Sequence, residues 1–207
     1  MVKIMSRISL QEIIEKLESL FSKFNIKLFN NQLEKPVIAV SPNTNRDAYG
    51  WCTSWKAWKD GESEGYYEIN ISAEYLNRPF EEICETLIHE MVHLLNLQNK
   101  IKDTSRSGMY HNKRFKQIAE QHGLLVDKDT KYGWCITRLA DGTLKYVKSL
   151  NEQGFKIYRS RAAKSKTSSS SSSKKYVCPQ CRTIIRATKE VKVVCGNCDI
   201  EFKEEIK

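Results

Sequence analysis

Residues 85–100 have the sequence ETLIHEMVHLLNLQNK, which contains two histidines and a glutamate in the pattern H-E-x-x-H. His89 and His93 are four residues apart, so on an α-helix both imidazoles project from one face, one turn apart. Glu90 is rotated by about 100° from His89 and can overhang the open side of an ion that the histidines share. Two histidine ligands, a carboxylate base and an open coordination position are the parts of a zinc hydrolase site.

The segment around this motif is predicted to form a buried helix. Pro79 suits its first turn, and Glu81 and Glu82 favour the positive end of the helix dipole. Apolar residues cover most of its circumference, namely Phe80, Ile83, Cys84, Leu87, Ile88, Met91, Leu94 and Leu95. Two histidines and a glutamate are costly to bury on such a helix unless a divalent ion compensates them. The pattern therefore favours a metal site over two ordinary core histidines.

A third protein ligand must come from elsewhere in the chain. The pattern H-E-x-x-H-x-x-G-x-x-H is excluded because its glycine and third histidine positions hold Asn96 and Asn99. The remaining candidates are Asp103, His111, Glu120 and His122. His122 stands beside Gly123 at a predicted helix end, where the helix dipole alone favours a histidine. We favour His111, at the start of that helix, and keep Glu120 as the second choice.

The other elements up to residue 158 predict a mixed α+β domain. The first is a helix capped by Ser9, because apolar residues recur at spacings of three and four through SLQEIIEKLESLFSKFNIKLF. The elements predicted after it are strands at 36–42 and 66–72, a polar loop at 99–110, a helix at 111–123 and a hairpin at 131–150 with Asp141-Gly142 as its turn.

Four of the seven cysteines form two C-x-x-C pairs near the end of the chain. The pairs are Cys178 with Cys181 and Cys195 with Cys198, and together they can close a tetrahedral zinc site. The segment 176–207 is too small to fold on an apolar core alone, so we expect a zinc ribbon that the metal stabilises. Cys52, Cys84 and Cys135 lack partners at ligand spacing and are interpreted as small buried residues.

Positive charge is unevenly spread along the sequence. Residues 1–158 contain 22 Lys/Arg against 20 Asp/Glu, whereas residues 159–175 contain six against none. This Ser-rich segment predicts a flexible linker that contacts nucleic acid through phosphate neutralisation. Its predicted contacts are Arg159, Arg161, Lys164, Lys166, Lys174 and Lys175. The expected domains are thus 1–158, the linker and a ribbon at 176–207, which is nearly neutral with six Lys/Arg against five Asp/Glu.

No stretch approaches the 18 or more apolar residues of a membrane span, and the N-terminus lacks an apolar signal region. We therefore expect a soluble cytoplasmic protein without a membrane partner, associated with the nucleoid if the chain is bacterial or phage-like and nuclear if it is eukaryotic. A monomer is expected.

The motif and the residues that follow it resemble the SprT-like zinc metalloprotease family. LIHEMVHLLN followed by HNKRF matches the family pattern of H-E-x-x-H on a central helix, a polar loop, and a histidine with phenylalanine four residues later. A strand ending in Ile69-x-Ile71-Ser72 and an upstream Tyr49-Gly50 are also similar. The resemblance covers roughly residues 10–125. One departure is Asn112, where the family often has glycine.

This resemblance implies an α+β fold with a zincin-like metalloprotease core, in which the central H-E-x-x-H helix packs on a small sheet. A C-terminal four-cysteine zinc ribbon also occurs in the family. The resemblance further implies a zinc endopeptidase and, for some members, cleavage of proteins crosslinked to DNA.

Two functions are compatible with the sequence. In the first, His89, His93 and His111 hold a catalytic zinc ion and Glu90 is the general base, while the strand at 66–72 is a template for an extended protein substrate. Tyr110 is a candidate for stabilising the oxyanion. The second function is a non-proteolytic, nucleic-acid-binding adaptor with purely structural zinc. Either function predicts two zinc ions per chain and DNA as a partner, single-stranded or duplex.

Overall fold

The computed structural model describes residues 9–43, 48–160 and 173–205. The chain divides into two compact units, Met1–Arg161 and Ala162–Lys207. Each unit has its own cluster of buried side chains. None of the helices in the described residues is long and apolar enough to cross a membrane.

The described residues form four α-helices, all of them in the first unit. They are α1 (Leu10–Phe29), α2 (Phe80–Gln98), α3 (Lys113–Gln121) and α4 (Asp141–Ser149). The predicted start of α1 is confirmed, because the Ser9 side chain accepts a hydrogen bond from the Glu12 amide and the Glu12 carboxylate accepts one from the Ser9 amide.

Three small sheets accompany the helices. The strands are β1 (Val37–Ser41), β2 (Gly50–Cys52), β3 (Glu68–Ser72), β4 (Thr104–Ser105), β5 (Tyr110–His111), β6 (Leu124–Asp129), β7 (Gly133–Leu139), β8 (Lys174–Val177), β9 (Ile184–Ala187) and β10 (Lys203–Glu204). Their orders are β1-β3-β2, β4-β5-β7-β6 and β10-β8-β9. The first sheet is mixed, since β3 runs parallel to β1 and antiparallel to β2.

Helix α2 is the centre of the first unit, as its apolar pattern predicted. It contacts the other three helices and strands of both sheets of the first unit, β1-β3-β2 and β4-β5-β7-β6. Its fully buried apolar side chains are Ile83, Cys84, Leu87, Ile88, Met91, Val92 and Leu94. The residues that carry polar chemistry are thus held on a helix that cannot shift without disturbing the whole core.

The predicted hairpin at 131–150 is wrong in its second half. Strand β7 pairs with the preceding β6, and the residues after it form α4. Asp141-Gly142 is the first turn of that helix and not a hairpin turn, which suits an acidic residue at the positive end of the dipole. Thr143 and Val147, four residues apart, are both buried, so the segment has helical rather than alternating burial.

The helix predicted at 111–123 begins later than expected. Asn112 is its N-cap, and its side-chain oxygen accepts hydrogen bonds from the Arg114 and Phe115 amides. His111 therefore lies in β5 and not in the helix. At the other end Gly123 has a φ of +88°, and a Cβ there would lie 2.2 Å from Thr143 Oγ1, so only glycine fits.

The second unit is built on β8, β9 and β10. Its buried cluster contains Tyr176, Cys178, Cys195 and Phe202. Lys174 and Lys175 belong to β8, and the Arg159 amide bonds the Ala73 carbonyl at 2.9 Å in the first unit. Both ends of the segment predicted as a linker, 159–175, therefore have backbone contacts within a unit, while residues 161–172 lie outside the described part of the chain. The division into domain, linker and ribbon stays a prediction.

Candidate metal centre

Three imidazoles converge at one point of the first unit. His111 Nε2 lies 3.2 Å from His89 Nε2 and 3.0 Å from His93 Nε2. One ring nitrogen from each histidine lies within 4.8 Å of the other two. Tetrahedral zinc with Zn–N bonds of about 2.0–2.1 Å holds its nitrogens about 3.3 Å apart. The geometry is consistent with zinc, and the choice of His111 agrees with it.

The three imidazoles share one apolar support. The Phe115 ring lies with its centroid 4.6, 4.7 and 4.6 Å from those of His89, His93 and His111. Phe115 itself is fully buried. Because it packs against all three rings, it restricts their rotation toward other directions.

His93 is oriented from behind by a carboxylate. Its Nδ1 lies 2.7 Å from Asp103 Oδ2, which also accepts a hydrogen bond from Asn96 Nδ2 at 2.9 Å. Burial lowers the pKa of His93, but the Asp103 hydrogen bond and the negative charges of Glu90 and Asp103 together outweigh burial, and the net pKa is raised. Asp103, a candidate ligand in the sequence, thus lies behind a ligand, where it fixes the tautomer that leaves Nε2 free.

His89 is oriented by a two-residue relay that the sequence did not reveal. Its Nδ1 lies 3.3 Å from Thr137 Oγ1, and the Thr137 hydroxyl donates to Glu85 Oε1 at 2.7 Å. The hydroxyl can donate to Glu85 only while it accepts from His89, so Nδ1 carries the proton. Burial, aided by the neighbouring imidazoles, lowers the pKa of His89 well below its ordinary value.

His111 has a different environment from the other two. Its Nδ1 is buried and has no hydrogen-bond partner among the described residues. Burial lowers its pKa to about 4, so the ring is neutral near pH 7. A neutral ring with its Nε2 facing two other Nε2 atoms is suited to a cation at their centre.

Glu90 is a buried carboxylate beside this cluster. Burial raises its pKa to about 7, and the Cys52 amide donates a hydrogen bond to it. That bond needs β2 to lie tightly on α2. A Cβ at Gly50 would lie 2.8 Å from the Asn70 carbonyl oxygen and 3.3 Å from Glu90 Cγ, so glycine permits the approach.

The rejected ligand candidates have other roles. His122 Nδ1 bonds the Leu28 carbonyl at 2.8 Å, and its ring stacks on Phe29 at 4.5 Å. Glu120 is exposed and lies 3.6 Å from Lys116 Nζ. Neither belongs to a metal-competent cluster of the described residues.

The four cysteines of the second unit also converge. The sulfurs of Cys178, Cys181, Cys195 and Cys198 all lie within 4.8 Å of one another. The two C-x-x-C turns have the same backbone hydrogen bond. The Arg182 amide donates to the Cys178 carbonyl at 3.0 Å, and the Asp199 amide donates to the Cys195 carbonyl at 2.8 Å. Both donors have positive φ, as a tight cysteine turn requires. This group is consistent with a zinc ribbon.

The predicted nucleic-acid contacts are not free positive charges where the structure describes them. Arg159 Nη1 lies 2.7 Å from Glu74 Oε1, and Lys174 Nζ lies 3.1 Å from Glu204 Oε2. Lys175 forms an ion pair with Glu205. Arg161, Lys164 and Lys166 lie outside the described residues. Three of the six predicted nucleic-acid contacts are therefore paired with carboxylates of the protein itself.

Sequence reasoning missed Glu85, Thr137 and the Cys52 amide. Glu85 did carry a signal, because it precedes His89 by four residues on the same helical face. Thr137 and Cys52 lie on strands remote in sequence, so only the sheet pairing brings them to the helix. Tyr110 adjoins His111 in β5, and its predicted oxyanion role stays a prediction.

The relay to His89 makes a prediction about metal affinity. Thr137→Val keeps the side-chain volume but removes the acceptor for Nδ1–H, so the zinc affinity of the histidine site should fall about 10- to 100-fold. Competition with a chromophoric chelator measures this, with the four-cysteine site as internal reference. Thr130→Val, on the exposed turn between β6 and β7, is the control. Equal zinc affinities in the two variants would show that the Thr137 hydroxyl does not contribute to metal binding.

The comparison with known proteins agrees with the geometry. The SprT-like family model matches residues 17–134, a range that contains the three histidines, Glu90 and Phe115. The chain belongs to the SprT-like family. No curated protein and no solved structure matches the chain.

Proposed function

We propose that this chain is a zinc-dependent endopeptidase with a zincin-like core, acting on proteins bound or crosslinked to DNA. The observation that carries the proposal is Glu90, a buried carboxylate beside three convergent imidazoles. A structural metal site does not need a base, and burying an unpaired carboxylate costs stability. The position of Glu90, between the two histidines of α2 in sequence and beside their imidazoles, suits proton transfer to and from a water at this site.

The residues divide the chemistry among them. His89, His93 and His111 would hold the zinc ion, which would supply a Lewis acid for the scissile carbonyl. Glu90 accepts a proton from the attacking water and passes it to the leaving amine. The Cys52 amide holds the Glu90 carboxylate in place, and Asp103 and Thr137 hold two of the imidazoles.

The substrate template differs from the one that the sequence suggested. Strand β3 is paired on both sides, by β1 and β2, so it cannot accept a further strand. Strand β2 is an edge of that sheet. Tyr49 and Thr53 supply its bonds to β3, so the backbone groups of the alternate residues Gly50 and Cys52 point away from β3. The Cys52 amide already bonds Glu90, which leaves the Cys52 carbonyl and the backbone groups of Gly50 for a substrate strand. We propose that an extended substrate lies along this edge, beside Glu90.

The test is a cleavage assay on a protein crosslinked to single-stranded DNA. The zinc-loaded full-length chain should fragment the crosslinked protein, and chelation should stop the reaction. Because a metal ligand is lost, His93→Ala should be inactive too. The free protein and the duplex conjugate are the comparison substrates. A chain with both zinc sites filled that cleaves none of them would contradict the proposal and favour the non-proteolytic adaptor.

A further inference from the structure

The positive charge of the first unit is concentrated in one part of the chain. Residues 99–139 contain nine Lys/Arg against four Asp/Glu, whereas the rest of the first unit, residues 1–98 and 140–161, contains fifteen against sixteen. One of the four acids, Asp103, is buried behind His93 and adds nothing to the surface. The positive excess of the first unit therefore lies within residues 99–139, and the remainder is nearly balanced.

Few of these cations form a close ion pair. Of the nine, only Lys116 and Arg138 lie within 4.0 Å of a carboxylate of the described residues. The other seven are exposed, namely Lys100, Lys102, Arg106, Lys113, Arg114, Lys128 and Lys131. Exposed cations that outnumber the neighbouring carboxylates produce a positive potential that attracts polyanions.

Aromatic rings are interleaved with several of these cations. Lys116 Nζ and Lys128 Nζ lie 4.2 and 5.8 Å from the Trp134 ring centroid. The guanidinium of Arg106 lies 5.1 Å from the Tyr110 ring, and Lys131 Nζ lies 4.8 Å from the Tyr132 ring. We call this set the metal-flanking surface; it consists of Arg106, Tyr110, Lys116, Lys128, Lys131, Tyr132 and Trp134.

The backbone brings these rings together beside the third histidine. Gly133 has a φ of +76°, and a Cβ there would lie 2.2 Å from the His111 carbonyl oxygen and 2.9 Å from the Tyr110 ring. Glycine thus lets β7 approach β5, and the His111 amide donates to the Tyr132 carbonyl at 2.9 Å. The metal-flanking surface is consequently continuous with the strand that carries His111.

We infer that the metal-flanking surface binds single-stranded nucleic acid. Its cations meet the phosphates, and its rings, of which Tyr132 is 43% exposed, stack on unpaired bases. Paired bases in a duplex could not reach the rings, and an acidic peptide would need only the cations. The inference rests on the proposed function, because it names the partner that would bring substrate proteins to the same site.

Binding of a labelled oligothymidylate to the zinc-loaded full chain tests the inference without requiring catalysis. The triple change Arg106→Ser, Lys128→Ser and Lys131→Ser should weaken binding and reduce the salt slope by about 2, since each phosphate contact on a single strand contributes about 0.7. Tyr132→Ala should weaken binding about 5- to 100-fold and leave the slope unchanged.

The matched control carries the same loss of charge elsewhere. Lys145, Lys148 and Lys156 are exposed and lie within 4.0 Å of no carboxylate of the described residues, so they match the three changed cations. Because they do not belong to the metal-flanking surface, their change to Ser should leave binding nearly intact. Equal losses in the two triple variants would overturn the inference, as would tighter binding of duplex DNA or poly-glutamate. So would a loss confined to Arg161→Ser, Lys164→Ser and Lys166→Ser. Binding that persists in a chain without peptidase activity would contradict the proposed function alone.

Discussion

Exchange of Glu90 for Gln is expected to lower peptide hydrolysis by a factor of roughly 10² to 10⁴ while the zinc content stays the same. Gln has nearly the same shape and can still accept the Cys52 amide bond, so β2 should keep its position on α2. It cannot accept the proton of the attacking water. Turnover on a crosslinked protein checks the loss of hydrolysis, and metal analysis of the same sample checks the zinc content. Retained turnover would exclude Glu90 as the base.

The same variant has a stability signature that a merely misfolded protein would not show. Burial raises the pKa of Glu90 from 4.5 to about 7, so its contribution to stability is fully present below pH 4.5 and is lost as pH rises through 7. In zinc-free protein at pH 8, Glu90→Gln should therefore be more stable than the original chain by ~3 kcal/mol. Denaturant unfolding at pH 5 and pH 8, with chelator present, measures the gap. A gap that does not widen with pH would mean that the carboxylate is not buried as described.

The histidine site shows which contacts a sequence can reveal. Spacing along one helix placed His89, His93 and Glu90, because helical geometry fixes which side chains share a face. His111 followed by elimination among few candidates. The residues that orient the site come from β2 and β7, and no local pattern in the sequence encodes which strand faces which side of the helix. The sheet order β1-β3-β2 likewise places β2, and not β3, at an edge where a substrate strand can pair, and the sequence does not encode that order.

The misread segments have a common physical origin. Asp-Gly suits both a hairpin turn and the first turn of a helix, and the burial of Thr143 and Val147 decided for the helix. The near balance of charge over residues 1–158 conceals the basic part at 99–139. The lysines at the start of β8 were interpreted as linker, although their acidic partners stand about thirty residues later in β10 and beyond. Local composition does not report long-range partners.

Loss of zinc from the four-cysteine site is expected to unfold the second unit and leave the first unit intact. Two of the four residues in its buried cluster, Cys178 and Cys195, are themselves proposed ligands. Structural zinc contributes about 10–16 kcal/mol to such small modules at pH 7. The remaining apolar burial, chiefly Tyr176 and Phe202, is far too small to replace it. Cys195→Ser should therefore abolish amide protection in β8 and β9.

Hydrogen exchange of the full-length chain separates the two zinc sites. In Cys195→Ser, amides of α2 should keep their protection, because its apolar side chains pack in a core that contains none of the four cysteines. The matched control is His111→Ala, which should lose the other zinc ion and keep protection in β8 and β9. Metal analysis should find two zinc ions per original chain and one in each variant. Persistent protection of β8 in Cys195→Ser would mean that the small cluster folds without metal. Joint loss of both zinc ions in either variant would mean that the two units fold together, although each has its own buried cluster.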